Sequence, residues 1–144
     1  MFIKEVRPSI IRNSRREKTI QVDLWTYEGR FTASAPSGKS RGKNEVEPYN
    51  LLGIEKTFQL LKVFCRRLKE QNFKIRKIDH LKQIVEEIKK FEVKLGRLGG
   101  NAIYALETVF LKAAAAENDK ELWQFINDDV NNGLKPKMPM PVGN

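Results

Sequence analysis

The hydrophobic period of this 144-residue sequence changes once, near residue 50, and that change fixes the class of fold it can adopt. Before it, Ile20, Val22 and Leu24 alternate with Gln21, Asp23 and Trp25, the period of two that a sheet with one buried face imposes. Tyr27-Glu28-Gly29-Arg30 supplies a turn and Phe31, Ala33 and Ala35 resume the alternation, which predicts a hairpin. The segment from Phe2 to Arg12 can pair beside it as a third strand. Pro8 has no N–H to donate, so that strand belongs at an edge or a bulge.

After the change, apolar residues recur at helical spacing. Ile54, Phe58, Leu61, Cys65 and Leu68 predict a helix from about Ile54 to Asn72 that exposes Lys62, Arg66 and Lys69. Leu81, Ile84, Val85, Ile88 and Phe91 predict a second, with Asp79 as its N-cap. A third follows Leu98-Gly99-Gly100, where Ala102, Ile103, Leu106, Val109, Phe110 and Ala113 form a broad apolar face running into Ala114, Ala115 and Ala116. The fourth is expected from Lys120 to Val130, opened by Asn118 and Asp119, with Leu122, Phe125 and Ile126 inward. The predicted fold is α+β: a three-stranded antiparallel β-meander followed by about four helices. Residues 1–132 form the domain, and residues 133–144, with Gly133, Pro136, Pro139 and Pro141, read as an extended connector.

One compact domain is what this length holds. Apolar runs are short and broken by charge, so no membrane span is expected. No secretory signal opens the chain, and a lone Cys65 forms no intramolecular disulfide; a cytoplasmic setting is the expectation. The 27 basic against 18 acidic residues give a formal charge of +9, which brings a nucleic-acid partner into view. Lys and Arg are nevertheless spread along the helices with Glu86, Glu87 and Glu92 interleaved, the pattern of a solvated mixed-sign face.

Chemistry-bearing residues are sparse. His80 is the only histidine and sits at a predicted helix start, where an exposed or capping role fits better than catalysis. One Cys and one His do not make a zinc site. Cys65 falls on an apolar stripe and reads as core. Glu86 and Glu87 are adjacent on a helix and point in different directions, so they are no acid/base pair.

Several stretches occur in a telling order: Ser14-Arg15 followed by Thr19-Ile20-Gln21-Val22-Asp23, then Ala35-Pro36-Ser37-Gly38-Lys39-Ser40-Arg41-Gly42, Leu98-Gly99-Gly100-Asn101-Ala102-Ile103, Lys112 to Ala116, Leu122-Trp123, and Met138 to Asn144. Taken together they resemble the N-terminal capping domain of enolase, with its DSRGNPTVEVD segment, PSGAS-G loop, LGANAI helix start, KAAA and PLY elements and the junction to its barrel. The resemblance covers nearly the whole chain.

It implies a phosphopyruvate hydratase of glycolysis and gluconeogenesis, in which two magnesium ions hold 2-phosphoglycerate, a lysine removes its proton and a glutamate assists the leaving hydroxyl. Those groups come from the barrel, so none of the catalytic residues is expected in this chain. The resemblance implies that this domain brings the mobile loop Ser37, Gly38, Lys39, Ser40, Arg41 and Gly42, with Ser40 joining the coordination of one magnesium as the site closes. Gly38 and Gly42 supply backbone freedom on either side. By residue type alone the same loop is an ordinary polar turn.

Departures from the family pattern are plain. Arg16-Glu17-Lys18 replaces Gly-Asn-Pro, Gln21 replaces a glutamate that commonly pairs across the subunit interface, and ELRD is not recognisable in Glu45 to Asn50. Lys39 and Arg41 set two cations beside Ser40, which attract phosphate and repel Mg²⁺. Three functions remain open at this level. The first is one part of an enolase, inactive alone, that meets 2-phosphoglycerate and Mg²⁺ only when assembled with a barrel subunit. The second is a stand-alone binding or homo-oligomerisation module without chemistry. The third, less favoured, is a basic nucleic-acid-binding domain, whose affinity would fall steeply with salt.

Overall fold

The computed structural model describes residues 1–37, 42–69, 71–130 and 134. Three strands, β1 (Glu5–Arg12), β2 (Lys18–Trp25) and β3 (Arg30–Ser34), form an antiparallel meander in that order, as the period of two predicts. The register sets Val6 opposite Leu24 and Ile10 opposite Ile20, and on the other side Val22 opposite Ala33. Ile20, Val22 and Leu24 therefore share one face and are fully buried. Pro8 lies in edge strand β1, where its missing donor costs no ladder bond on the open side.

Four helices follow: α1 (Ile54–Leu68), α2 (Lys82–Leu95), α3 (Gly100–Glu117) and α4 (Leu122–Val130). Helices α1 and α3 cover the apolar face of the sheet. Leu61, Phe64, Cys65 and Leu68 of α1 and Ala102, Leu106, Val109 and Phe110 of α3 are buried in that core. Phe64 meets Phe91 of α2 edge to face at 5.2 Å, and Phe73 meets Phe110 at 6.0 Å. Among the described residues, no helix is long and apolar enough to cross a membrane.

The element ends depart from expectation for identifiable reasons. The first strand begins at Glu5, because Met1 to Ile3 pair elsewhere: Ile3 N–H donates to Gln71 O at 3.0 Å and Phe73 N–H to Met1 O at 2.9 Å. The same pairing ends α1 at Leu68 and not at Asn72, with Lys69 already extended and Asn72 bridged to Phe2. Asp79 is not the N-cap of α2. It lies in a 3-10 turn, Ile78–Leu81, that precedes the helix, and its carboxylate holds Lys82 at 2.9 Å. Asn118 and Asp119 close α3 and do not open α4. The Asn118 side chain donates to Ala114 O at 2.7 Å and to Ile75 O at 3.1 Å, and Asp119 takes a positive φ of 52°.

Of the proposed connector only Leu134 is among the described residues; its carbonyl accepts the Asn127 amide at 2.7 Å.

Candidate functional site

The loop after β3 leaves the sheet from a fixed point. Ala35 N–H donates to Ile20 O at 2.9 Å, and the buried Thr19 hydroxyl donates to Ala35 O at 2.8 Å, so pairing with β2 continues one residue past the strand. Ser37 follows, half-buried, and its carbonyl accepts the Arg15 guanidinium at 2.5 Å. The Ser14-Arg15 stretch and the Pro36-Ser37 stretch, 22 residues apart, thus meet at the loop's entrance. Gly38, Lys39, Ser40 and Arg41 lie outside the described residues. Gly42 is exposed, and its carbonyl accepts Glu45 N–H at 3.2 Å where the chain resumes.

The returning chain is seated on the start of α3. That helix has no side-chain N-cap; its first N–H groups, on Gly100 and Asn101, donate instead to Glu47 O at 2.8 Å and Pro48 O at 2.9 Å. So close an approach needs Gly99, whose φ is +90° and whose Cβ, if present, would lie 2.5 Å from Tyr49 Cα. The Tyr49 hydroxyl accepts from the Asn101 amide at 3.1 Å and donates to Lys18 O at 3.1 Å, tying the loop to α3 and to β2. Thr57, fully buried on α1, accepts Asn50 N–H at 2.7 Å and donates to Leu98 O at 2.9 Å. Two of the stretches singled out in the sequence, Ser14-Arg15 and Leu98 to Ile103, therefore hold the described chain on either side of the third, at Ser37 and at Glu47 to Tyr49.

Tyr49, Thr57 and Gly99 as anchors were not legible in the sequence. The signal that points to them is the glycine pair before an uncapped helix: with Gly99 and not Ser, Thr, Asp or Asn at the cap position, the helix must take acceptors from another segment.

The remaining candidates fall where their residue types suggest. Cys65 is buried and its thiol is pushed far up by burial, which makes it inert. His80 Nδ1 accepts Arg76 N–H at 3.2 Å, a local turn contact. Glu87 is half-buried and pairs with Lys90 at 2.7 Å, whereas Glu86 is exposed on another side of α2. Gln21 lies on the sheet face turned away from the helices and donates to Asp23 at 3.4 Å. There Asp23 also accepts the Thr32 hydroxyl at 2.5 Å and the Arg30 guanidinium at 3.1 Å. Among the described residues no three His, Cys, Asp or Glu side chains converge as a metal centre.

The sequence matches the family model for the N-terminal domain of enolase over residues 3–126. It is similar to the enolase of Methanothermobacter thermautotrophicus, 30% identical over 145 residues that cover 99% of this chain and 33% of that protein. The enolase of Methanosphaera stadtmanae is 29% identical with the same coverages. Enolase B of Dictyostelium discoideum is 28% identical over 152 residues, 100% of this chain and 34% of that protein. The chain thus spans about a third of the length of the relatives it matches. With the meander and the four helices in place, this chain belongs to the enolase family and carries the family's N-terminal domain.

Proposed function

We propose that the chain is the capping part of a phosphopyruvate hydratase, converting 2-phosphoglycerate to phosphoenolpyruvate only when joined to an enolase-type barrel. In this reading the barrel supplies the catalytic groups and the metal-binding carboxylates, residues 1–132 are the cap, and residues 133–144 are the connector. The observation that carries it is the match of nearly the whole chain to the first third of full-length enolases. Magnesium, when bound in the assembled site, supplies the positive charge that stabilises the enolate. The work of this chain is positional. Arg15 fixes the carbonyl of Ser37, and Thr19 and Tyr49 hold the two flanks of the loop; in this reading the segment between would offer the Ser40 hydroxyl to the metal and help exclude water.

The test is reconstitution of the chain with an enolase-type barrel from the same organism, assayed for magnesium-dependent dehydration of 2-phosphoglycerate. Activity is expected from the mixture and from neither part alone. Ser40→Ala is expected to lower kcat by about 10²-fold or more, on the scale of losing one preorganised charge-stabilising group, with assembly unchanged. Equal turnover by wild type and mutant removes the role given to Ser40. A stable complex without activity favours the non-catalytic module, and a salt-sensitive complex with nucleic acid favours the basic-surface reading.

A further inference from the structure

Helix α3 has an outer face that does not match a solvated helix. Its inner side, with Ala102, Leu106, Val109 and Phe110, is fully buried. The side turned away from the sheet carries exposed Tyr104 with Ile103, Glu107, Thr108 and Leu111 half-buried, Ile103 and Leu111 resting partly on the core, so a single charge interrupts an otherwise apolar or weakly polar stripe. The outer faces of α1 and α2 are different, with Lys62, Arg66, Lys89 and Lys90 exposed. A helix that is apolar nearly all round is one that is covered on both sides.

The stripe does not stop at the helix start. The Cβ position of Gly100 is 3.8 Å from Val46 Cβ, and Val46 and Leu51 are 68% and 90% exposed. Between them and Ile103 lies an open cavity of about 390 Å³, whose rim also carries Glu47, Glu92 and Arg97. The face is therefore continuous with the segment that returns from the candidate loop, held to α3 by the Gly100 N–H to Glu47 O bond. Glu107 sits in the middle of the helical part. It is half-buried, and among the described residues its carboxylate has neither an ion pair nor a hydrogen bond, although the chain has 27 basic side chains. Burial without a partner pushes its carboxyl above the usual glutamate range.

We propose that the surface from Val46 and Leu51 along α3 to Leu111 is where the barrel docks, and that the barrel presents a Lys or Arg side chain to Glu107. This rests on the capping reading given above. Two observations point to this occupant: the chain spans about a third of its relatives, and the face is continuous with the segment Val46 to Asn50 that returns from the candidate loop. An apolar surface with one cation opposite Glu107 completes it.

The experiment is hydrogen–deuterium exchange of the full chain, alone and titrated with an enolase-type barrel from the same organism expressed as a separate chain. Protection is expected over residues 46–52 and 103–111. Leu111→Arg and Glu107→Lys are each expected to weaken the complex at least about tenfold, a change of 1.4 kcal/mol or more, while Glu86→Lys on the exposed face of α2 leaves it unchanged. Variants are first checked for an unaltered far-UV spectrum; should either fail to fold, the protection map alone decides. A complex that protects the opposite sheet face, around Gln21 and Trp25, overturns this surface and leaves the capping reading standing. No complex with any barrel overturns both. Self-association of the chain through residues 103–111, unaffected by the barrel, assigns the face to a second copy and overturns the proposal.

Discussion

Gly99 and Glu107, eight residues apart, show how much a single side chain decides in this fold. A methyl group at Gly99 meets the backbone of Tyr49 and Pro48, which cannot rotate out of the way, and the φ of +90° adds strain of its own. Gly99→Ala is expected to cost about 2–5 kcal/mol. At Gly53, with a φ of +95° but open space around it, the same change costs only the backbone strain, about 1–2 kcal/mol. Urea denaturation of the two variants checks the order; equal midpoints would contradict the close-contact account. The effect of Glu107 on stability runs through protons. Its folded-state pKa is raised by desolvation, so the native state binds more protons than the unfolded one between the ordinary glutamate value, about 4.3, and the raised one. Stability is lost as pH rises through that window. Glu107→Gln should therefore raise the Tm of the free chain at pH 7 and leave it nearly unchanged near pH 3.5. A Tm difference that persists undiminished at low pH would exclude ionisation as the cause.

At the scale of elements, the types were legible and the ends were not. Alternation of Ile20, Val22 and Leu24 reports a sheet face directly, and the spacing of Leu61, Cys65 and Leu68 reports a helix stripe, because both follow from backbone geometry within a few residues. The ends of α1 and α3 are set from far away. Pairing of Asn72 with Phe2 stops α1, and carbonyls of Glu47 and Pro48 start α3. No local cap residue announces either. The same holds for the candidate site: the Pro36-Ser37 stretch stood out in the sequence, but its tie to Arg15 joins segments 22 residues apart. Thr57 is the polar link that binds α1 to this assembly. Thr57→Val keeps the shape and leaves Asn50 N–H and Leu98 O without their partner, so a loss of about 1–3 kcal/mol is expected. Amide exchange at Asn50 should accelerate with it, and an unchanged rate would argue that the hydroxyl does not hold the loop.

Across the whole molecule, the apolar core is built from parts that lie far apart in sequence. The first three residues hydrogen-bond with residues 71–73, and the Met1 ammonium donates to Phe73 O at 2.6 Å and pairs with the Glu117 carboxylate at the far end of α3. Fold class was readable because the change of period is a property of whole stretches. This closure was not, because nothing in Met1-Phe2-Ile3 distinguishes a strap from the beginning of β1. Its consequence is one of timing during synthesis. The meander is made first, but the segment that engages the strap emerges some 70 residues after the strap itself, and the helix that seals Ile20, Val22 and Leu24 later still. While the chain is growing those side chains face water, and pairing of such long sequence separation is slow to form. The nascent polypeptide therefore passes through a stage at which a chaperone has more apolar surface to hold than the finished domain ever shows.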